Sequence, residues 1–527
     1  MRLVVANRGE IAVRILRAAR DCGLGTVALH PADAGDAPHV RIADEAAALP
    51  GEGPAAYLDR DAVVAAALRA GGPGALVHGG YGFLSEDADF AATCERSGLV
   101  FVGPSPQVLR VLGDKVAARR VAQDCRVPVL PATEAGVGAD AVAAFFAEHA
   151  RTGRGPGGIM IKAVAGGGGR GIREVHDADE VPGAYASCRA EARAGFGDDD
   201  LYAEALLAGA RHVEVQIVGD GSGVVAVGDR DCSVQRRHQK LVEVAPAQGL
   251  DEQVRTAMQD AAVRIGRKVG YAGLGTVEFL LDGGEFVFLE VNPRIQVEHT
   301  VTEEVTGIDL VAAQLRVARG ATLGDLGLDP GEAATKPRGI AVQARVNAER
   351  VDASGRVYAS AGVLDEFAPP AGPGVRVDTA AHRGMRQDAR YDPLLAKVVA
   401  HASGTDLAGV ARKADRALSE LAVAGVDTNV GLLRAVLADE EFRTGVVGTD
   451  WLGRRIADLT VRADAYPTAG PGAVRAPVPD VGAGDLVVRA PMAGTVVRTS
   501  RPEEPVPPGA PVAVVEAMKM EHPVPAP

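Results

Sequence analysis

Residues 275–299 restrict the fold of this chain more than any other stretch, because they combine a hairpin pattern with a long polar alternation. In GTVEFLLDGGEFVFLEVNPRIQVEH, β-branched and aromatic residues flank a double glycine, which is typical of two antiparallel strands joined by a tight turn. If the loop holds three residues, Asp282 pairs with Phe286, and Glu278 then faces Glu290 across the hairpin. The pattern therefore predicts two carboxylates side by side.

Two opposed carboxylates destabilise a sheet unless a positive charge lies between them. A divalent cation with oxygen ligands, such as Mg²⁺, would supply that charge. The polar residues that follow keep a period of two, so they are expected to share one face of an extended segment, opposite Val291, Ile295 and Val297. These polar residues are Asn292, Arg294, Gln296 and Glu298. An ordinary solvated strand face stays open as the alternative.

Composition limits the kind of partner this chain can bind. The 527 residues are 47% hydrophobic, enough for roughly two to four domains with their own cores. A net charge of −13 argues against a large nucleic-acid footprint, although a local phosphate pocket remains compatible with it. Five cysteines without metal spacing favour reduced thiols. With no apolar run of about 18 residues and no leader pattern, we expect a cytoplasmic protein without a membrane partner.

The N-terminal region has the pattern of a parallel α/β unit. Residues 3–30 predict strand, helix and strand, and apolar runs at 75–77 and 99–102 predict two further strands. No G-x-G-x-x-G follows the first strand, so a dinucleotide site is only weakly indicated. Residues 78–86, HGGYGFLSE, are either a tight strand-to-helix loop or a loop that faces a ligand.

A glycine run and a basic cluster lie between this region and the hairpin. A short apolar strand carries Lys162, and four glycines follow it. Their backbone N–H groups can close over phosphate oxygens, while the absence of a Walker pattern favours a flexible flap over a P-loop. A flexible linker is the alternative. Residues 229–240, DRDCSVQRRHQK, are either a charged surface run or part of a polyanion site. The four glycines that follow the strand of Lys162 are Gly166, Gly167, Gly168 and Gly169.

Several of these motifs, in this order, resemble the biotin carboxylase component of biotin-dependent carboxylases, an ATP-grasp enzyme. The resemblance covers about residues 1–450. It rests on ANRGEIAVRI at 6–15, GYGFLSE at 80–86, GDK at 113–115, Lys162 with its glycines, RDCSVQRRHQK at 230–240, EVNPRIQVEH at 290–299, QARVNAE at 343–349 and YDPLLAKV at 391–398.

The resemblance implies ATP, Mg²⁺ (or Mn²⁺), bicarbonate and biotin as cofactors and substrates, and a role for each matching residue. Glu298 is expected to deprotonate bicarbonate, and Arg345 is expected to stabilise the biotin enolate. Glu278, Glu290 and Asn292 match the metal ligands. Lys240, Arg294, Gln296 and Val297 match the bicarbonate site. The ATP contacts are expected at Lys115, Lys162, Gly166 to Gly169, Glu204, Leu207, His212, Gln235, His238 and Leu280.

The implied fold class is α/β with several domains. The expected order is a Rossmann-like pre-ATP-grasp domain, an ATP-grasp domain with a mobile glycine-rich lid, a biotin carboxylase C-terminal domain, a linker and a partial all-β biotinyl domain. The corresponding ranges are 1–112, 113–320 with the lid at about 130–205, 335–450, 463–485 for the Ala/Pro/Gly linker and 487–527.

The last of these regions resembles the biotinyl domain of the same enzymes. It contains APMAGTVV at 490–497 and VVEAMKMEH at 514–522, in which Lys519 matches the biotin attachment residue. Such domains are expected to be barrels of two similar halves with the lysine between them. Because eight residues follow Lys519, we expect an incomplete, poorly ordered carrier segment and a longer natural protein.

The function implied is that of the α subunit of an acyl-CoA carboxylase, which makes carboxybiotin from ATP, bicarbonate and biotin. Expected partners are a carboxyltransferase subunit or fused transferase domain, a biotin protein ligase, and a second copy of the chain in a homodimer or larger complex. Pyruvate and urea carboxylases share this half-reaction. An amide or carbamoyl-phosphate ligase and a non-catalytic scaffold are the rival functions.

Overall fold

The computed structural model describes residues 1–149, 158–164, 171–328 and 336–466, and a C-terminal segment. In that segment it describes 486, 488, 490, 492, 494–501, 505–517 and 520–527. The glycine run 166–169, Lys519 and linker residues 467–485 therefore lie outside the described residues. No helix in the described part of the chain is long and apolar enough to cross a membrane. All five cysteines are free.

The N-terminal region contains five strands and six helices. They are β1 (Arg2–Val5), α1 (Gly9–Asp21), β2 (Gly25–His30), α2 (Pro38–Ile42), β3 (Glu45–Ala48), α3 (Gly53–Ala56), α4 (Arg60–Gly71), β4 (Leu76–His78), α5 (Ala88–Arg96), β5 (Val100–Phe101) and α6 (Pro106–Gly113). The strands form a parallel sheet in the order β3-β2-β1-β4-β5, which confirms the predicted α/β unit. Helix α1 buries Ile11, Ile15 and Leu16 on one stripe, as its periodicity predicts.

A second, smaller sheet follows. Its region contains α7 (Lys115–Asp124), α8 (Ala139–His149), β6 (Ile159–Ala163), β7 (Ile172–Val175), α9 (Val181–Phe196) and β8 (Leu201–Ala205). The three strands pair antiparallel in the order β7-β6-β8. Strand β6 is fully buried and carries Lys162 next to Tyr202 of β8. The predicted apolar strand that carries this lysine is therefore confirmed.

An eight-stranded sheet forms the centre of the molecule. Its first elements are β9 (Arg211–Asp220), β10 (Val224–Arg236), β11 (Gln239–Ala245), α10 (Glu252–Lys268), β12 (Ala272–Asp282), β13 (Glu285–Asn292), α11 (His299–Thr306) and α12 (Leu310–Val317). The chain continues through β14 (Ile340–Asn347), β15 (Glu349–Val351), β16 (Val357–Ala359), β17 (Gly362–Val363), β18 (Glu366–Ala368), β19 (Val375–Thr379), β20 (Arg386–Gln387), β21 (Leu394–Ala402), α13 (Leu407–Glu420), β22 (Ala422–Ala424), α14 (Val430–Leu437), α15 (Glu440–Arg443) and α16 (Trp451–Ala463). The strand order is β13-β12-β9-β10-β11-β14-β21-β19.

The hairpin of β12 and β13 corrects one detail of the sequence prediction. Its loop holds two residues rather than three, because Asp282 pairs with Glu285. Gly283 and Gly284 both have positive φ, 55° and 89°, as the tight two-residue turn requires. A bulge at Leu289 then shifts the register by one residue, so Glu278 still pairs with Glu290.

The extended segment predicted beyond the hairpin is wrong after Asn292. Strand β13 ends there, and α11 begins at His299 with Glu298 as its N-cap residue at φ −83° and ψ 6°. The chain turns because Ile295 packs into the core formed by α1, α12 and the sheet. A straight strand would carry the following residues away from that core.

The C-terminal segment forms a separate three-stranded sheet. It consists of β23 (Thr495–Thr499), β24 (Pro511–Ala517) and β25 (Met520–Pro525), in that order. Both pairings are antiparallel. Strands therefore form here despite the prolines, and the described residues on both sides of Lys519 belong to paired strands.

Candidate active site

The predicted carboxylate pair lies at one end of the eight-stranded sheet. The amide nitrogen of Asn292 donates to Glu278 Oε1 at 2.7 Å and to Glu290 Oε1 at 3.3 Å. Both carboxylates thus lie within hydrogen-bond distance of one nitrogen atom, on the same face of the hairpin. Burial raises the pKa of Glu278, but Lys240 and His212 more than offset it, so this pKa lies below its usual range.

Lys240 is the centre of a buried cluster of carboxylates. Its ammonium lies 2.6 Å from Glu214, 3.0 Å from Glu278 and 2.7 Å from Glu298. Burial lowers the pKa of Lys240, yet the three carboxylates outweigh burial and raise this pKa well above its usual value. Lys240 is therefore a permanent cation between groups that would otherwise repel one another.

Glu298 is fully buried and holds one cation at each oxygen. Lys240 lies at Oε1, and Arg345 donates to Oε2 at 2.9 Å. Burial raises the pKa of Glu298, but Lys240, Arg345 and Arg230 together bring it well below the usual value. Arg345 also donates to Glu243 at 2.5 Å, which fixes the plane of its guanidinium group. Glu298 is therefore an anion at neutral pH.

The residues between the hairpin and α11 line the same cluster, although they are not on a strand. Arg294 donates to Gln296 Oε1 at 2.9 Å and to Asn292 Oδ1 at 3.2 Å. Gln296 donates to Glu278 at 3.2 Å. The backbone carbonyl of the half-buried Val297 accepts a hydrogen bond from Lys397. The structure therefore places Arg294 and Gln296 beside the carboxylates, and Val297 in the turn between Gln296 and Glu298.

His212 and Gln235 continue the site along β9 and β10. His212 Nε2 lies 2.6 Å from Glu278 Oε2. The other ring nitrogen of His212, Nδ1, lies 2.5 Å from the amide nitrogen of Gln235. The next turn, Arg237-His238, joins β10 to β11 with positive φ at both residues, 48° and 63°. A two-residue hairpin turn requires positive φ at both positions, a conformation that residues other than glycine seldom adopt. His238 lies 3.6 Å from Glu174 of the smaller sheet.

Two of the residues predicted to contact the nucleotide, Lys162 and Glu204, lie on the sheet of β6, β7 and β8 and pair with each other. Lys162 forms a buried ion pair with Glu204, and the half-buried Leu207 follows strand β8. Lys115 is the first residue of α7, where burial lowers its pKa while the carboxylate of Glu290 acts in the opposite direction. Leu280 lies next to His212 in the pairing of β12 with β9.

The donor set at Glu278, Glu290 and Asn292 fits a hard divalent cation. It consists of two carboxylates and an amide oxygen, which Mg²⁺ and Mn²⁺ prefer. Amide, ammonium and imidazole groups all direct positive charge at Glu278, so the protein already balances the carboxylates where a cation would bind. In the structure the amide nitrogen of Asn292 faces both carboxylates and its oxygen accepts from Arg294, so the amide would turn over to serve as a ligand, and the donor set stays a prediction.

Sequence reasoning missed four residues that hold the site. Glu214 and Arg230 form a fully buried ion pair of 2.5 Å, and Glu214 also binds Lys240. Glu243 forms an ion pair with Arg345. Glu86 accepts a hydrogen bond from Arg294 and lies in the loop at residues 78–86, which is called the glycine-rich loop below. A signal was present: His212, Glu214 and Gln216 alternate with valines on a strand that is otherwise apolar. Strand β9 is buried on both faces, so such polar residues need internal partners.

The chain is similar to several known proteins, and the share of each protein that it covers differs. The chain is 41% identical to biotin carboxylase of Haemophilus influenzae, covering 86% of this chain and 98% of that protein. It is 40% identical to the biotin-dependent acyl-coenzyme A carboxylase alpha3 subunit of Mycobacterium leprae, covering 100% of this chain and 94% of that protein. It is 43% identical to human mitochondrial pyruvate carboxylase, but spans 38% of that protein.

Solved structures of carboxylases also match this chain, again over different shares of their length. A single-chain, multi-domain long-chain acyl-CoA carboxylase matches with TM-score 0.76 and 46% identity over 100% of this chain and 48% of its own. The biotin carboxylase domain of a Hydrogenobacter thermophilus 2-oxoglutarate carboxylase, solved with MgADP and bicarbonate, matches with TM-score 0.80 and 34% identity, covering 87% of this chain and 98% of its own.

Family models match in the order expected from the sequence. They are the biotin carboxylase N-terminal domain at 1–109, the carbamoyl-phosphate synthase L chain ATP-binding domain at 114–326, the biotin carboxylase C-terminal domain at 343–454 and the biotin-requiring enzyme family at 486–527. The ATP-binding model alone is shared with the rival carbamoyl-phosphate enzymes, whereas the flanking models are specific. The chain therefore belongs to the biotin carboxylase family of ATP-dependent ligases.

Proposed function

We propose that this chain carboxylates biotin with bicarbonate and ATP, as the α subunit of an acyl-CoA carboxylase. The observation that carries the proposal is the arrangement at Glu298, a buried carboxylate with Lys240 at one oxygen and Arg345 at the other. This arrangement combines a proton acceptor with two sites for negative charge. A scaffold without catalytic activity would have no use for buried charges of this kind, which contribute little to stability.

The proton transfer begins at Glu298. Bicarbonate is an anion, so it binds beside Lys240 and Arg294 and draws part of their positive charge away from Glu298. The pKa of Glu298 then rises, and the carboxylate takes the bicarbonate proton. The resulting carbonate oxygen attacks the γ-phosphorus of ATP, the bond to the β-phosphate oxygen breaks, and carboxyphosphate and ADP form.

Arg345 acts in the second half of the reaction. Carboxyphosphate breaks its C–O bond to give CO₂ and phosphate, and the phosphate takes the proton from N1′ of biotin. The ureido oxygen then carries negative charge, which the guanidinium group of Arg345 offsets while N1′ attacks CO₂. Glu243 and Glu298 orient that guanidinium in the structure.

ATP binding falls to the residues between the two sheets. Lys115, Lys162 and His238 are proposed to contact the phosphates, with His212 and Gln235 toward the ribose and Glu204, Leu207 and Leu280 toward the adenine. Glu278, Glu290 and Asn292 would hold Mg²⁺, which neutralises phosphate charge when bound. The ATP phosphates would compete with Glu204 for Lys162, because the two side chains form an ion pair in the structure.

An acyl-CoA carboxylase is favoured over a pyruvate carboxylase by the extent of the matches. The acyl-CoA carboxylase α subunit aligns with the whole chain, including the C-terminal segment that holds Lys519. The pyruvate carboxylases cover 85–87% of the chain. We propose a cytoplasmic protein that is biotinylated at Lys519 by a biotin protein ligase, forms a homodimer or larger complex, and acts with a carboxyltransferase, either separate or fused.

An ATPase assay tests the activity. The chain is incubated with ATP and Mg²⁺, with and without bicarbonate and free biotin, and ADP is measured. We expect ADP formation that requires bicarbonate and is increased by biotin. Hydrolysis that ignores bicarbonate would contradict the proposal and favour a different ATP-grasp reaction.

A further inference from the structure

Two sequence motifs that carry no role in the site meet in the interior of the protein. Lys397 lies in the segment 391–398 and Glu10 in the segment 6–15, at opposite ends of the enzyme region. Lys397 Nζ lies 3.0 Å from Glu10 Oε2, and the lysine side chain is 0% exposed. Strand β21 is thereby joined to helix α1 by a fully buried ion pair.

The third group at this ammonium belongs to the catalytic segment. Lys397 Nζ donates to the backbone carbonyl of Val297 at 3.1 Å. Val297 is the residue before Glu298, and the two residues form the turn that leads into α11. Lys397 pairs directly with Arg345 of β14, so the two cations lie on the same face of the sheet, one at the Glu298 carboxylate and the other at the backbone that carries it.

The charges around Lys397 are balanced. Asp378 of β19 lies 3.8 Å from its ammonium and also pairs with Arg376 at 2.8 Å. Burial raises the pKa of Asp378, but Lys397 and Arg376 bring it below its usual range. The other oxygen of Glu10 accepts a hydrogen bond from the hydroxyl of Tyr81 in the glycine-rich loop. This network joins β19, β21, α1 and the glycine-rich loop at one point.

Stability alone does not explain a buried cation at this position. Removing charges from water costs several kcal/mol, and replacing a buried ion pair with apolar side chains of similar size is often neutral or stabilising. A hydrogen bond from an ammonium to one specific carbonyl, in contrast, fixes geometry. The target of that hydrogen bond therefore indicates the role.

We propose that Lys397 is a positioning residue for bicarbonate deprotonation, which fixes the Val297–Glu298 peptide and thereby the base. The carbonyl of Val297 and the N–H of Glu298 belong to one planar peptide unit, so a hydrogen bond that fixes the carbonyl also fixes the Cα of Glu298. Proton transfer is sensitive to displacements of the order of 1 Å. The N-cap position of Glu298 adds no side-chain hydrogen bond of its own to α11.

Glu10 orients the Lys397 ammonium through their ion pair. Through Tyr81 it also holds the glycine-rich loop, whose Glu86 accepts from Arg294 on the other side of the bicarbonate site. The loop and the Val297–Glu298 turn are thus fastened to the same ion pair. This inference rests on the proposed function, because it assigns Lys397 a part in that reaction.

The test compares two double variants of the full chain. Glu10→Gln/Lys397→Met removes both buried charges and the donor to Val297, whereas Glu10→Gln/Lys397→Gln removes the charges but keeps a donor. The control is Asp415→Asn/Arg434→Met, which removes a partly buried ion pair of 2.8 Å between α13 and α14. KM for bicarbonate and KM for ATP are measured for each, and amide exchange is followed at residues 297–300.

For the methionine variant we expect kcat, and with it kcat/KM for bicarbonate, to fall about tenfold in these titrations, because one hydrogen bond to a charged group is lost, while KM for ATP stays unchanged. Amide exchange at 297–300 should accelerate. The glutamine variant and the control should keep kcat and kcat/KM for bicarbonate near the wild-type values. A rise in KM for ATP as large as the fall in kcat/KM for bicarbonate, equal changes in both double variants, or no change would overturn the inference. A wild-type chain without bicarbonate-dependent ADP formation would instead contradict the proposed function.

Discussion

The eight-stranded sheet and the C-terminal three-stranded sheet use β-structure for opposite purposes. In the larger sheet, nine of the ten residues of β9 are buried, and charged side chains lie among them. In the C-terminal sheet every residue of β23 is exposed, and the side chains of Val496 and Val497 are 58% and 50% exposed. One sheet excludes water from a dense set of charges, whereas the other presents apolar side chains to solvent.

The difference shows what each task demands of a sheet. A proton-transfer site needs fixed charges in a medium of low dielectric constant, where each ion pair is strong and well oriented. Glu214, Glu243 and Glu298 are 0% exposed, and each has an arginine or lysine within 3.0 Å. A segment with the proposed task of presenting an attachment lysine needs only enough burial to hold a hairpin, here supplied by Val514, Val515 and Val524.

The largest expected effect is at the centre of the buried cluster. Glu298→Gln keeps the shape of the side chain but removes the proton acceptor, so bicarbonate-dependent ADP formation should fall about a thousandfold. KM for ATP should change little, because Glu298 contacts cations of the bicarbonate site. Steady-state kinetics test this, with Glu366→Gln, at an exposed position of β18, as the control. Unchanged turnover in Glu298→Gln would refute the assignment.

A smaller effect is expected at the metal ligands. Glu290→Gln removes one proposed oxygen ligand while leaving Lys240 and Glu278 paired, so the Mg²⁺ concentration for half-maximal activity should rise at least about tenfold. Titration of ADP formation with Mg²⁺ and with Mn²⁺ measures the shift. An identical Mg²⁺ dependence in wild type and variant would exclude Glu290 as a ligand.

The smallest effects compare the two sheets directly. Val277→Ala, at a position of β12 with 0% exposure, should lower the free energy of unfolding by roughly 1–3 kcal/mol. Val496→Ala in β23 should change it by less than about 0.5 kcal/mol, because the side chain is already in water. Chemical denaturation of both variants gives the two values. Similar losses would mean that β23 is covered in solution.

Much of the catalytic hairpin was predictable because local chemistry determines it. The double glycine and the alternating residues indicated the turn and the facing carboxylates, and Glu278 does pair with Glu290. The pairing was right although the loop length was wrong, since the bulge at Leu289 compensates for the shorter turn. A bulge depends on packing between strands, which a single sequence does not display.

The partners of the site were less predictable, because they come from strands that are distant in sequence. Arg345 lies on β14 and Lys240 on β11, and their contacts with Glu298 depend on the strand order of the sheet. The resemblance to a family supplied these residues. Lys397 and Glu243 had no such support, since a single charged residue in an apolar strand does not reveal which charge it will meet.

The central claim is that the buried cluster at Glu298 activates bicarbonate for transfer to biotin. Its most direct test is to incubate the 527-residue chain with ¹⁴C-bicarbonate, ATP, Mg²⁺ and free biotin, and to measure acid-labile label on biotin beside ADP. The account predicts that the label equals the additional ADP formed when biotin is present for the wild type, and that neither rises above background for Glu298→Gln. Label transfer by Glu298→Gln at the wild-type rate, or ADP formation by the wild type without any label on biotin, would contradict it.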